Sequence, residues 1–212
     1  LYFRDNDFRL DIDNMVYAFD SSTINLCLSL FPWAKFHHQK GAVKMHTLLD
    51  LRGSIPVFIH LTDGSVHDVN ALDSLLIEPA AFYLMDKGYV DFYRLFNLIH
   101  VKRAFFVTRA KDNMAYQVED NFEVDKDAGL ISDQSIRLTG VKSSKLYPDN
   151  IRLVVYEDYA TNNVYHFLTN NFELSALTIA ELYRERWKVE LFFKWIKQHL
   201  HIKAFYGTTS NA

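Results

Sequence analysis

The sequence predicts an α/β fold: a mixed sheet flanked by helices, with a β-rich insertion ahead of a long C-terminal helix. Three observations carry this reading. Two short apolar runs, MVYAFD (15–20) and AFYLMD (81–86), read as buried strands that each end in an aspartate. Between residues 110 and 173 the pattern changes to short, partly alternating segments separated by Asp, Gly, Asn and Pro turns. Beyond residue 174 the apolar residues recur at helical spacing.

Taken in order, MVYAFD is the first strand. VKMHTLLDLRG (43–53) and IPVFIHLTDG (55–64) follow as two strands joined tightly around Gly53 and Pro56, a hairpin signal. HDVNALDSLL (67–76) has helical spacing. AFYLMD is the fourth strand, followed by the turn KGY and a helix over DFYRLFNLIH (91–100), and AFFVTR (104–109) is the next strand. Three strands, a helix, a strand, a helix and a strand imply a mixed sheet with helices packed on it. Segments 115–124, 131–139, 151–158 and 163–169 are the strands of the insertion, and one helix is expected over 174–200. Residues 1–109 and 174–212 then form one domain, and 110–173 an insertion subdomain. No internal repeat or low-complexity tract is visible.

The chain of 212 residues is 49% hydrophobic and 15% aromatic, enough for one sizeable core with an insertion. Its single cysteine, Cys27, excludes an internal disulfide and fits a reducing cytoplasm. No apolar run is long enough to cross a membrane and no secretory leader opens the chain, so a cytoplasmic location without membrane contact is expected. LYFRDNDFRL reads like the interior of a longer protein. The net charge of −3 argues against a polyanionic partner, but its distribution argues for one. Residues 183–203 carry six Lys/Arg against two Glu, and residues 35–52 four against one Asp, so two segments are locally basic. Residues 111–133 carry seven acids against two Lys and read as a solvated face.

The helix LYRERWKVELFFKWIKQHL holds the densest chemistry. Tyr183, Arg186, Glu190 and Lys197 are separated by two, three and six residues, which places them within an arc of about 60° on a helix. Leu182, Val189, Phe193, Ile196 and Leu200 form a stripe to one side that can face a core. Glu190 and Lys194 also make an ordinary i,i+4 surface pair. A carboxylate among basic groups suits a metal ion that works on phosphate.

Asp20 and Asp86 sit where α/β sheets usually place their chemistry, at the ends of strands. If the first and fourth strands lie side by side, both reach one edge of the sheet, and a helix over that edge adds Glu190. Three carboxylates fit Mg²⁺ or Mn²⁺, which prefer oxygen ligands. Two such ions ~3.5–4 Å apart activate a water or a 3′-hydroxyl and stabilise a leaving oxygen. The plain alternative is that an aspartate after a strand forms a turn or caps a helix.

With these residues in view, the chain resembles the catalytic domain of a DDE-type insertion-sequence transposase. Within that group it is similar to the bacterial branch named for a Y-R-E-K signature. AFDSST resembles the first-aspartate motif, LMDKGYVD the second, and YRERWKVELFFKWIK the signature itself; KGAVKMHTLLDLRGSIP resembles the second and third strands. The resemblance implies a ribonuclease H-like fold and cut-and-paste transposition. Asp20, Asp86 and Glu190 would hold two Mg²⁺ ions, with Mn²⁺ able to substitute. Water would attack at the transposon end; the freed 3′-hydroxyl would form a hairpin and, after hairpin opening, join target DNA. Tyr183, Arg186 and Lys197 would hold phosphates of double-stranded DNA. An aromatic residue of the insertion would receive a flipped base, yet Trp33, Trp187 and Trp195 all lie outside residues 110–173. The full-length protein would act as a homodimer on DNA. The rival readings are a ribonuclease H-like nuclease that does not join ends, and a catalytically silent DNA-binding fragment.

Lys35, Lys40 and Lys44, with His37, His38 and His46, form a basic run after the first aspartate. Lys40 and Lys44 are candidate phosphate contacts, and a solvated face is the alternative. One cysteine and no paired ligand spacing argue against zinc. His67 and Asp68 open a predicted helix, where Asp68 reads as a first-turn acid.

Overall fold

The computed structural model describes residues 10–26, 35–37 and 40–199; Cys27, Trp33, His38 and Leu200 lie outside the described residues. The first strands are β1 (Val16–Leu26), β2 (Lys35–His37), β3 (Lys40–Asp50) and β4 (Ile55–Asp63). β5 (Phe82–Met85) and β6 (Phe105–Arg109) follow. β7 (Tyr116–Phe122), β8 (Leu130–Leu138), β9 (Ile151–Asp158) and β10 (Asn163–Thr169) fall within residues 110–173, where the sequence leads one to expect an insertion. All ten make one sheet in the order β2-β3-β1-β5-β6-β10-β9-β8-β7, with β4 paired to β3. β1, β5 and β6 run parallel, and every other described pairing is antiparallel.

β5 is apolar at every position, as are β1 up to Phe19 and β6 up to Val107, because both of their faces are covered. Tyr17, Phe19, Tyr83 and Met85 point into one core with Leu95, Ile99 and Tyr147. Val16, Ala18, Phe82 and Leu84 point into the other, against Ile179, Leu182, Val189 and Phe193. The helices on this second face carry the signature residues.

Three helical segments differ from expectation. Residues 67–76 form a 3₁₀ turn over Asp68–Ser74. Residues 91–100 open as a short α-turn, α1 (Phe92–Arg94), and widen into a π-helix over Leu95–His100. Bonds from Val101 N–H to the Phe96 carbonyl (2.8 Å) and from Ala104 N–H to the Ile99 carbonyl (3.1 Å) span five residues. After the short α2 (Ser143–Leu146), the single long helix expected over 174–200 is two, α3 (Ala176–Glu185) and α4 (Trp187–His199). Ser175 caps α3 by accepting from the Thr178 N–H at 3.1 Å. At the junction, Arg186 N–H donates to the Tyr183 carbonyl and Val189 N–H to the Arg186 carbonyl, each at 3.1 Å. These three-residue spans tighten the turn around Arg186.

The insertion strands extend the main sheet, because β10 pairs with β6 through Phe167↔Arg109 and Thr169↔Val107. A buried ion pair fastens them to the glutamate-bearing segment. Arg152 donates to Asp133 at 2.8 and 2.7 Å and to the carbonyls of Asn171 and Leu174 at 3.2 and 2.6 Å. β8, β9 and the loop before α3 thus share one guanidinium, whose donors are matched in good geometry.

Candidate active site

Register brings the two aspartates together. β1 pairs with β5 up to Phe19↔Met85, and the residues that follow this last pair are Asp20 and Asp86. β1 continues to Leu26 against β3, so Asp20 lies within the strand rather than ending it, contrary to expectation. Its carboxylate sits where the parallel partner stops. Asp86 precedes the turn Lys87–Tyr89 without capping it through its side chain. Its carboxylate is left for other partners.

Those partners are basic and phenolic. β6 pairs with β5 through Met85↔Thr108, which sets Arg109 beside Asp86. Arg109 donates to Asp86 Oδ1 at 3.1 and 2.5 Å, and the Tyr183 hydroxyl donates to the same oxygen at 3.2 Å. Arg186 bridges the other two carboxylates: Nη1 donates to Asp20 Oδ2 at 3.1 Å and Nη2 to Glu190 Oε1 at 2.6 Å. Its guanidinium also lies 5.4 Å from the centre of the Tyr183 ring. The tight turn at Arg186 is therefore the point where α3 and α4 meet the strand aspartates.

The two aspartates titrate in opposite directions. Burial raises Asp20 from 3.8 to about 6; a hydrogen bond from Ser21 N–H and the charge of Arg186 pull it back, and Glu190 and Asp86 add to the rise. Burial works to raise Asp86 as well, but hydrogen bonds from Arg109 and the Lys87 backbone, with the charges of Arg109 and Arg186, hold it below the usual range. Burial lifts Tyr183 to about 12, so its phenol stays a donor.

Of the residues singled out in the sequence, Asp20, Asp86, Tyr183, Arg186 and Glu190 thus converge. Lys197 lines a cavity of about 530 Å³ together with Asp20 and Glu190. Leu182, Val189, Phe193 and Ile196 are buried, as the stripe required. Lys44 is turned elsewhere: its ammonium meets the Val66 carbonyl at 2.7 Å and Asp68 at 3.2 Å. Lys40 opens β3, and its side chain lies outside the described residues.

Two groups escaped the sequence reading. Arg109 closes AFFVTR just as Asp86 closes AFYLMD, a parallel between neighbouring strand ends that could have marked it. The second group is an aromatic cleft of about 400 Å³ beside Glu190, lined by Tyr156, Tyr165, Phe167, Tyr183 and Trp187. Tyr165 stacks on Phe167 with centroids 5.8 Å apart. A search of the insertion for tryptophan alone passes over these tyrosines.

Among the described residues, no three His, Cys, Asp or Glu side chains are gathered closely enough to enclose a metal ion. The donor chemistry nevertheless fits a hard divalent cation, because the converging acids are three carboxylates. Arg186 already spans the gap between two of them, and Arg109 engages one oxygen of the third. No described helix is long and apolar enough to cross a membrane.

Comparison with known proteins gives the family. The model of the family described as "Transposase DDE domain" matches residues 12–212. A Sinorhizobium fredii protein named as the transposase y4zB is 37% identical over 202 residues, covering 93% of this chain and 56% of that protein. A Geobacillus stearothermophilus protein named as the transposase of insertion sequence element IS5377 is 30% identical over 194 residues, covering 91% of this chain and 50% of that protein. The chain thus spans about half the length of the curated relatives it matches. Among solved structures, a piggyBac transposase in a synaptic complex with hairpin DNA aligns with a TM-score of 0.53 at 11% identity, over 86% of this chain and 40% of that chain. That likeness is one of fold, and the fold is ribonuclease H-like. With its family model matched from residue 12 to the last residue, the chain belongs to the DDE transposase family.

Proposed function

We propose that this chain is the catalytic domain of a DNA transposase that hydrolyses a phosphodiester at a transposon end and joins the resulting 3′-hydroxyl to target DNA. The observation that carries the reading is the convergence of Asp20 and Asp86, side by side at the end of a parallel pairing, with Glu190 tied to Asp20 through one guanidinium. Asp20, Asp86 and Glu190 would hold two Mg²⁺ ions, or Mn²⁺ in their place; when bound, these activate the attacking oxygen and stabilise the leaving one. Mg²⁺ dependence, a homodimer on DNA and a cytoplasmic location belong to this proposal.

The chain's own residues prepare that site. Arg186 pairs with both Asp20 and Glu190, so its guanidinium would compete with a cation for these two carboxylates. A DNA phosphate near the cut is the group Arg186 would turn to, as charge-assisted contacts of arginine favour. Tyr183 and Arg109 fix Asp86 through Oδ1. Their three bonds crowd one oxygen and leave Oδ2 outside the set. Lys197, on the cavity that Asp20 and Glu190 share, would contact the DNA backbone. The aromatic cleft offers π-faces to a nucleobase displaced from the duplex, a role that supports a hairpin route.

Joining separates this reading from that of a nuclease. With a pre-cut DNA end bearing a free 3′-hydroxyl, Mn²⁺ and a target duplex, the proposal expects a covalently joined product on a denaturing gel. Cleavage of uncut DNA without any joined product would instead favour the nuclease.

A further inference from the structure

A cavity of about 650 Å³ adjoins the aromatic cleft and shares Arg109 and Tyr165 with it; Lys87, Lys111, Tyr116 and His166 also line it. We propose that this cavity is a second nucleotide subsite, holding the nucleotide of a DNA strand next to the one whose base enters the aromatic cleft. The subsite rests on the reading of the chain as a DNA transposase.

The cavity comes from a mismatch of strand lengths. β10 pairs with β9 along its whole length, from Asn163 to Thr169, but with β6 only from Phe167 to Thr169. Past Arg109, one bond from the Ala110 N–H to the His166 carbonyl at 2.8 Å closes the pairing. The chain then turns away, with the Met114 N–H on the Lys111 carbonyl at 3.2 Å. Among the described residues, no strand lies beside residues 163–165 on that side. The resulting notch is at the carboxyl ends of β5 and β6, where open α/β sheets bind their ligands. Asp86 and Arg109 stand at the same ends.

The wall has the opposite sign to the chain. Against a net charge of −3 for the whole, it carries Lys87, Arg109 and Lys111 with Asp112 as its one acid. Lys111 donates to the Val90 carbonyl at 2.8 Å and has no carboxylate partner among the described residues. Lys87 reaches Asp112 at 3.7 Å with side chains 48% and 95% exposed, a contact that water screens and that contributes little. Two ammonium groups are thus available to a phosphate. The rings supply the other half of a nucleotide site. Tyr116 is 40% exposed on this wall and offers its face to a base. Lysines interleaved with open aromatic faces suit a single strand, whose bases are free to stack on protein; a duplex would use the lysines alone. Because Arg109 and Tyr165 face both spaces, the cleft and the cavity would be filled by successive nucleotides of one strand.

Photocrosslinking tests this, with short single strands of thymidine carrying 5-iododeoxyuridine at successive positions, no divalent cation, and the crosslinked residues mapped by mass spectrometry. Crosslinks at Tyr116 or His166 are expected. Crosslinks that spare both and fall on Trp187 or Tyr156 would confine the strand to the aromatic cleft and overturn the second subsite, leaving the transposase reading intact. A chain that crosslinks nowhere would overturn the subsite as well. Loss of joining activity with crosslinks at Tyr116 retained would sink the transposase reading alone. In anisotropy titrations of the same strand, Tyr116→Ala should weaken binding at least about fivefold, the lower end of what a lost base stack costs. Lys111→Met should reduce the slope of log affinity against log salt by about 0.7, one phosphate contact on a single strand. Lys87→Ala, at an exposed turn, should do the same and decides the point if Lys111→Met does not fold. Unchanged affinity in Tyr116→Ala, or an unchanged slope in Lys87→Ala, would overturn the proposal.

Discussion

Arg152 and Asp133 meet in the insertion at 2.7 Å with side chains 6% and 4% exposed, whereas Arg186 and Asp20 meet at 3.1 Å in the wall of the cleft. The groups are the same and their surroundings differ. Arg152 has one carboxylate, held by two bonds, and its remaining contacts are carbonyls at the entry to α3. Arg186 has two carboxylates to serve, and a third stands beside them on Arg109. The insertion pair is closed: charge and hydrogen bonds balance within it. The cleft pair shares its surroundings with two further carboxylates, and burial above all, with Glu190 and Asp86 adding to it, lifts Asp20 to about 6. The pair that serves folding is complete in itself, whereas the pair in the proposed site would leave room for a further cation and a phosphate.

Breaking the closed pair should have the largest effect on stability. Arg152→Met leaves Asp133 charged and buried, and should destabilise the fold by about 3–5 kcal/mol, measured by urea unfolding. A loss below 1 kcal/mol would mean that water reaches Asp133 and the pair is not closed.

Arg186→Ala should do the reverse of harm to cation binding. It removes a contact of about 1.5 kcal/mol that competes for Asp20 and Glu190, so Mn²⁺ should bind about tenfold more tightly without DNA. Calorimetry that finds weaker binding would remove Arg186 from its place as the competing cation.

A pH series sharpens the comparison further. The folded-state pKa of Asp20, about 6, lies above its ordinary 3.8. The folded chain therefore holds the extra proton between those values, and stability from this group is lost as pH rises through that window. The thermal midpoint of the metal-free parent, relative to Asp20→Asn, should fall from pH 4 to pH 6, and Mn²⁺ should cancel the fall. Asp86, held below the usual range, contributes in the opposite sense: its stabilisation is lost as pH falls through its folded pKa. A parent whose midpoint keeps a constant offset from Asp20→Asn would show that Asp20 is not raised in the folded chain.

The smallest effect belongs to Lys197→Ala. It should weaken DNA binding uniformly across sequences and reduce the slope of log affinity against log salt by about one, with no change in unfolding.

The parts of this arrangement that local sequence governs were legible. MVYAFD and AFYLMD are apolar up to their closing aspartates because both faces are covered, and strands of that kind can be recognised without knowing their neighbours. The spacing of Tyr183, Arg186, Glu190 and Lys197 survives the turn at Arg186, because the α3–α4 junction tightens the helix without reversing it. Arg109 had only its place at the end of AFFVTR to mark it; that it meets Asp86 depends on the register of β6 against β5, which no local pattern encodes. The joining of the insertion to the main sheet has the same origin, a pairing of Phe167 with Arg109 far apart in sequence. The aromatic cleft likewise depends on Tyr165 facing Tyr156 across β10 and β9. The π-helix at Leu95–His100 escaped because, over one or two turns, its spacing is hard to tell from that of an α-helix.

The central claim is that Asp20, Asp86 and Glu190 work as one cation-dependent site on DNA. Its most direct test is nicking of supercoiled DNA with Mn²⁺ or Mg²⁺, with the parent beside Glu190→Gln. That substitution removes a ligand charge at nearly constant shape and should leave the fold, checked by circular dichroism, intact. The account predicts nicking by the parent that requires the metal and falls to background in Glu190→Gln. Equal nicking by both proteins would contradict it.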